Sequence, residues 1–107
     1  MRVEKSWGHE ELIFAGAYCM KLLVYERQIA SSLHYHDHKH ESFYVASGLF
    51  ELDDGISDEP VVMSPGCRVV LPPGTRHRLR CIQPGVVVEA STADSPEDCV
   101  RLVPSES

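Results

Sequence analysis

Apolar side chains in this chain alternate with polar ones or cluster in short runs, and glycine or proline closes almost every run. That pattern predicts short β-strands joined by tight turns, because a period of two lines one face of a strand. Leu12 to Ala15 reads as a first short strand, turning at Gly16-Ala17. Tyr18 to Ile29 reads as a longer one, with Tyr25, Arg27 and Ile29 on one side and Val24, Glu26 and Gln28 on the other. Further strands are predicted at Glu41–Val45, Leu49–Leu52, Val61–Met63, Arg68–Leu71, Leu79–Ile82, Val86–Ala90 and, weakly, around Val100–Val103. Gln83-Pro84-Gly85 has the chemistry of a hairpin turn. Met1 to Glu11 is polar around Trp7, which is expected to anchor a core or an interface, the alternative being a stacking wall for a ligand. No amphipathic helical period appears, so the fold class is all-β, and the end of the tail after Ser91 is expected to be mobile.

Four of the six histidines fall between His34 and His40. His34 and His36 are two apart, so on a strand their imidazoles leave the same face and can reach one ion. Glu41 stands at an odd offset and needs a turn to return to that face. The polar segment Asp37-His38-Lys39-His40 is read as that turn, closing a hairpin, with His38 and His40 as turn residues rather than ligands. Beyond the Pro72-Pro73-Gly74 turn, His77 can drop onto the same ion. His34, His36, Glu41 and His77 form a mixed nitrogen and oxygen set that leaves positions on an octahedral ion for water or substrate.

Written as spacing, His34-x-His36-x4-Glu41-x6-Gly48 and Gly66-x5-Pro72-x-Gly74-x2-His77 resemble the two motifs of the cupin superfamily. The flanks Lys5 to Glu10, Met20 to Val24, Val88 to Ala90 and Glu97 to Arg101 are similar to the cupin domain of type II mannose-6-phosphate isomerases. The chain departs from that group in having His34 where a glutamine is usual, Cys81 where the second motif closes on asparagine, and no acidic and aromatic extension after Arg101. The resemblance implies one domain over residues 1–107, a jelly-roll β-barrel (a double-stranded β-helix), and one divalent ion near its mouth: zinc, manganese, iron, nickel or cobalt. It implies a homodimer and, as activity, sugar or sugar-phosphate isomerisation. Proton transfer then needs a base beside the ion, for which Lys21, Glu89, Tyr25 and His40 are the candidates, with Lys21 either snorkelling outward or turned in toward Glu89. The competing expectations are an iron-dependent dioxygenase and a non-enzymatic cupin that binds a small molecule or a metal.

Composition narrows the partners. The net charge of −6 excludes a binder driven by phosphate neutralisation, so no nucleic acid is expected. No apolar run is long enough for a membrane span, and the four cysteines lack paired metal spacing, so a cytoplasmic protein with reduced thiols and a small-molecule ligand is expected. Arg76, Arg78 and Arg80 alternate with His77, Leu79 and Cys81, predicting an outer basic face, with Arg76 or Arg78 as the contact for an anion at the mouth. The acidic stretch Asp53 to Glu59 lacks the spaced glutamate of a calcium loop and reads as solvated.

Overall fold

The structure, a computed structural model describing residues 1–107, contains eleven strands and no helix. They are β1 (Arg2–Lys5), β2 (Gly8–Ala15), β3 (Tyr18–Tyr25), β4 (Leu33–Tyr35), β5 (Glu41–Val45), β6 (Leu49–Asp53), β7 (Val61–Met63), β8 (Arg68–Leu71), β9 (Arg78–Gln83), β10 (Gly85–Thr92) and β11 (Val100–Val103). All pairings are antiparallel. One sheet runs β1-β2-β3-β10-β5-β8, a second β7-β6-β9, and β11 pairs with β4. This is a jelly-roll of the double-stranded β-helix type, in which facing sheets bury one side of each strand.

Alternation decides which side. In β5, Glu41, Phe43 and Val45 are buried while Tyr44 is exposed. In β9, Leu79 and Cys81 go in, and Arg78 and Arg80 stay partly out. The inward rows meet in a core of Trp7, Leu23, Tyr25, Phe43, Val45, Phe50, Met63, Leu71, Leu79, Cys81 and Val87. Trp7 stacks on Tyr25 with ring centroids 4.1 Å apart, and Phe50 meets Tyr25 edge-on at 5.0 Å.

Several expectations need correction. The polar N-terminal segment, for which no element was predicted, forms strand: Arg2–Lys5 pairs with Gly8–Glu11 as a hairpin whose turn carries Trp7. The next strand stops at Tyr25 rather than at Ile29. Asp37 to His40 does not close a hairpin, because β4 pairs with β11 whereas β5 pairs with β10 and β8. Gln83-Pro84-Gly85 joins no hairpin either: β9 lies beside β6, β10 lies between β3 and β5, and Pro84 carries the chain from one sheet to the other. Proline suits that corner because its missing N–H is not needed by either ladder. Gly48 sits opposite with φ +86, and a Cβ there would lie 2.7 Å from the Gln83 carbonyl oxygen, so the close approach of the two turns requires glycine. The tail is tied down. Glu106 accepts from the Ala30 N–H and from both Arg80 guanidinium nitrogens (3.0, 3.0 and 2.8 Å), and its carbonyl accepts from Ser6.

Candidate metal centre

The two histidine segments come together through the backbone. His34 and His77 form an isolated antiparallel bridge, each donating its N–H to the other's carbonyl (3.1 and 2.9 Å). The Pro72–Thr75 turn allows this: Thr75 N–H donates to the Pro72 carbonyl at 3.1 Å, and Gly74, at φ +82, donates to the His36 carbonyl at 2.7 Å. A residue with a Cβ is strained at that φ, so the glycine belongs to the site's scaffold. Glu41 opens β5 on the facing sheet, and its inward face points at the histidines.

One ligand atom from each of His34, His36, Glu41 and His77 lies within 4.8 Å of the others, so the cluster could hold a metal ion. Each imidazole is oriented from behind. His34 Nδ1 lies 3.1 Å from the Ser32 carbonyl and 2.9 Å from its hydroxyl, His36 Nδ1 2.6 Å from the Asp98 carbonyl, and His77 Nδ1 2.9 Å from the Thr75 carbonyl. A carbonyl only accepts, so each Nδ1 carries the proton and each Nε2 turns a lone pair inward. There the lone pairs meet an acceptor. Glu41 Oε1 stands 3.1 Å from His36 Nε2 and 3.3 Å from His77 Nε2. Glu41 Oε1 and His77 Nε2 are buried without a hydrogen-bond partner. Acceptors facing acceptors in a buried site call for a cation between them, and donors about 2.1 Å from one ion at right angles are about 3 Å apart. The residues fit a divalent ion.

Protonation follows the same geometry. Burial drives His34 down to about 3, with His77 and His36 adding to the effect. Burial also lowers His77. It pulls down on His36 as well, but there the negative charge of Glu41, which would accept from Nε2 once the ring is protonated, outweighs it and the net direction is up. Glu41 resists burial in the same way: His36 and Lys39 hold its pKa below the usual glutamate value.

The cluster opens on a cavity of about 320 Å³, lined mainly by polar residue types but with Trp7, Leu23, Phe43 and Leu79 giving it apolar wall as well. Lys21, Glu89 and Tyr25 all line it. Lys21 neither snorkels into solvent nor pairs with Glu89. Its Nζ lies 2.9 Å from Asp94 and 3.9 Å from Glu10, although Lys21 and Glu89 are direct cross-strand partners. The partner of Glu89 is a residue that sequence reasoning placed in a polar turn: buried Lys39, whose Nζ reaches Glu89 at 3.0 Å, Asp94 at 3.1 Å and Glu41 at 3.7 Å. Burial raises Glu89 above the usual carboxylate range, with Glu41 adding and the two lysines opposing. Burial also pushes up Asp94, but Lys21 and Lys39 outweigh it and bring it down to about 2. Burial raises the Tyr25 phenol. His40 is exposed and outside the cavity, as is His38. Arg76 and Arg78 do not line it, and Arg78 is spent on the Ser31 and Pro104 carbonyls.

Asp98 is a second residue that spacing missed. Its carboxylate accepts from the backbone N–H groups of Asp37, His38 and Lys39 at 2.8 to 3.2 Å, fixing the segment between His36 and Glu41 of the cluster. A lone acid in a tail, paired over some sixty positions with backbone groups, leaves no local signature.

The comparisons with known proteins agree with this geometry. The family model described as Cupin domain matches residues 22–90. Among solved structures the chain is similar to KdgF from Halomonas sp. (TM-score 0.73, 21% identity, 83% of this chain and 81% of that one). It is also similar to an RmlC-like cupin from Shewanella frigidimarina (0.75, 19%, 91% and 86%). A third likeness is to a Streptomyces PAC13 variant with uridine (0.80, 14%, 99% and 86%). No curated protein matches the sequence. With a family model spanning well over half its length and both histidine segments placed on the expected barrel, the chain belongs to the cupin family.

Proposed function

We propose that this cupin is a metal-dependent protein acting on a small hydroxylated carbonyl compound of the sugar or sugar-phosphate class, in the manner of a mannose-6-phosphate isomerase. The observation that carries the reading is the convergence of His34, His36, Glu41 and His77 in a cavity that also holds the ionisable side chains Lys21, Lys39, Glu89 and Asp94 among its apolar wall residues. A purely apolar ligand would leave Lys21, Lys39, Glu89 and Asp94 desolvated against it, whereas hydroxyl groups can hydrogen-bond to all four. A divalent ion held by the four ligands supplies Lewis-acid polarisation of a bound oxygen.

Glu89 is the residue best placed to take and return a proton. It is buried on the inward face of β10 beside Phe43, and its raised proton affinity brings it toward the working range of a general base. Lys39, 3.0 Å away, keeps it in one place, and the charges of Lys39 and Lys21 oppose the rise. Tyr25, whose phenol stays protonated, can donate a hydrogen bond to a ligand oxygen, and Lys21 can hold a neighbouring one. A homodimer belongs to this reading. Phe14 and Tyr18, packed 4.5 Å apart and largely exposed on the β2–β3 turn, are apolar surface for a second copy, and a monomeric elution volume would count against it.

Elemental analysis of untagged protein, purified without chelator, tests the reading beside aldose–ketose interconversion assayed with an oxygen electrode. The expected result is about one equivalent of zinc, manganese, nickel or cobalt, lost in His77→Ala, with turnover that consumes no oxygen. Glu89→Gln should then keep the metal and lose about a hundredfold or more of the turnover. Iron with oxygen uptake would move the protein to the oxygenases, which the same donor set also suits. Absence of any metal would leave a binding protein.

A further inference from the structure

The cavity carries more positive charge than its own carboxylates engage. Four cations line it, Lys5, Lys21, Lys39 and Arg101. Lys21 and Lys39 have their charge balanced, between them by Glu10, Glu41, Glu89 and Asp94, which are all the carboxylates of the lining. Lys5 and Arg101 have no carboxylate within 4.0 Å and no side-chain hydrogen bond. In a chain of net charge −6 that is not for want of acids.

Their placement is specific. Arg101 is the register partner of His34 across the β4–β11 pair, so its side chain leaves the same face as a ligand of the metal cluster. Lys5 closes β1 beside the Trp7 turn. The neighbouring Ser6 hydroxyl donates to the Glu106 carbonyl at 2.6 Å, which ties this turn to the tail segment where Ser105 also lines the cavity. Two cations from opposite ends of the chain, half-buried Lys5 and exposed Arg101, therefore line one cavity whose wall also includes Ser31, Ser32, Ser95 and Ser105.

We infer that Lys5 and Arg101 are the recognition site for an anionic group of the ligand, a carboxylate or a phosphate, whose hydroxyl or carbonyl end faces His34, His36, Glu41 and His77. The site does what Arg76 and Arg78 were expected to do, from a different wall. Arginine suits the task because its planar fork meets two oxygens of either anion, and lysine adds a point charge. The inference deepens the proposed function and rests on it for the polyhydroxylated part of the ligand only.

The test is thermal melting of zinc-loaded protein with mannose, mannose 6-phosphate or gluconate, metal content being counted on the same samples. The proteins are the native chain, Lys5→Gln/Arg101→Gln, and Arg2→Gln, whose guanidinium is paired with Glu4 outside the cavity. Mannose 6-phosphate, gluconate or both should stabilise the native chain and Arg2→Gln in a dose-dependent way, well beyond mannose. Each lost cavity charge should weaken that anion about tenfold, with zinc stoichiometry unchanged. A response to the phosphate alone or to gluconate alone identifies the acid group. Equal shifts with mannose, no shift with either anion, or full anion binding by the double variant would overturn the inference. Anion binding that depends on Lys5 and Arg101 in protein that retains no zinc would uphold it while removing the metal-dependent reading.

Discussion

At the scale of single residues the site depends on two side chains that touch no ligand-binding lone pair of the histidines. Lys39 is 4% exposed and stands among three carboxylates, each within 3.7 Å. Lys39→Met keeps much of the apolar stem but leaves Glu89, Glu41 and Asp94 facing one another without their shared cation. Breaking a buried pair in this way costs about 3–5 kcal/mol, which denaturant unfolding would read as a lower midpoint at unchanged slope; a midpoint within error of the native one would show the lysine to be dispensable. Asp98 acts on the backbone instead. Asp98→Ala leaves the N–H groups of Asp37, His38 and Lys39 without their acceptor and frees the loop whose ends carry His36 and Glu41. The expected result is metal affinity lower by about 10- to 100-fold, measured by competition with a chromophoric chelator, with the strands intact by circular dichroism. The four side chains of the candidate cluster were legible from their spacing: a two-residue step, a carboxylate a short segment later and a histidine just past a glycine turn, although the 37–40 segment reaches Glu41 by crossing sheets rather than by a hairpin and His77 arrives through its bridge to His34. Lys39 and Asp98 were not, since a lysine within a polar run acquires a role only when Glu89 and Asp94 arrive from another strand and the tail.

Strands were legible as elements but not as pairs. Alternation at Glu41–Val45 or Leu79–Cys81 says which side chains are buried, and a barrel satisfies it whichever neighbour supplies the hydrogen bonds. Two segments read as hairpins, 37–40 and 83–85, therefore proved to be crossings between sheets, because turn chemistry reports a change of direction and not the strand waiting beyond it. The N-terminal hairpin was hidden for the opposite reason: β1 is an edge strand with three of its four residues exposed, so it has little apolar signal to give. The tail is an element of this kind too, held by Glu106 on Arg80 and Ala30. The Arg80 hydrogen bonds and the Ala30 N–H bring Glu106 from an ordinary 4.5 down to about 2. A depressed carboxylate contributes stability that is present above the unfolded value and is lost as the pH falls through the folded one. The tail contact should accordingly weaken between about pH 4.5 and pH 2. The protection of the Ala30 amide, taken relative to its intrinsic exchange rate at each pH, should fall as the pH drops through that window in the native chain and be low at all pH values in Glu106→Ala; protection that ignores both changes would detach the tail from Glu106. In the second sheet, Phe50→Ala should cost about 3–5 kcal/mol, since its ring is fully buried between Tyr25, Met63 and Cys81.

For the molecule as a whole, the cluster sits where separate parts of the barrel meet outside the continuous ladders. His34 belongs to the β4–β11 pair, Glu41 to the large sheet, and His77 leads into β9 of the small one. Between the β4 segment and the chain from Gly74 to Cys81 the backbone links are isolated bridges and single hydrogen bonds rather than a ladder: His34 with His77, Ala30 with Arg80, and Gly74 to the His36 carbonyl. An ion bound by all four side chains would fasten three sheets at one point, and the unfolded chain cannot present that set, so binding adds to folding stability by mass action. Free metal at a thousand times its dissociation constant contributes about 4 kcal/mol, which for a chain of this size raises the melting temperature on the order of 15 °C. Removing the ion with a chelator should lower the melting temperature by that amount and re-addition should restore it. His77→Ala should melt near the metal-free native protein and respond to neither treatment, because it loses both a ligand and the ion's reach into β9. Identical melting of the chelated and metal-loaded native chain would mean that those backbone links and the core alone hold the sheets together, and that the four side chains converge without an ion to join them.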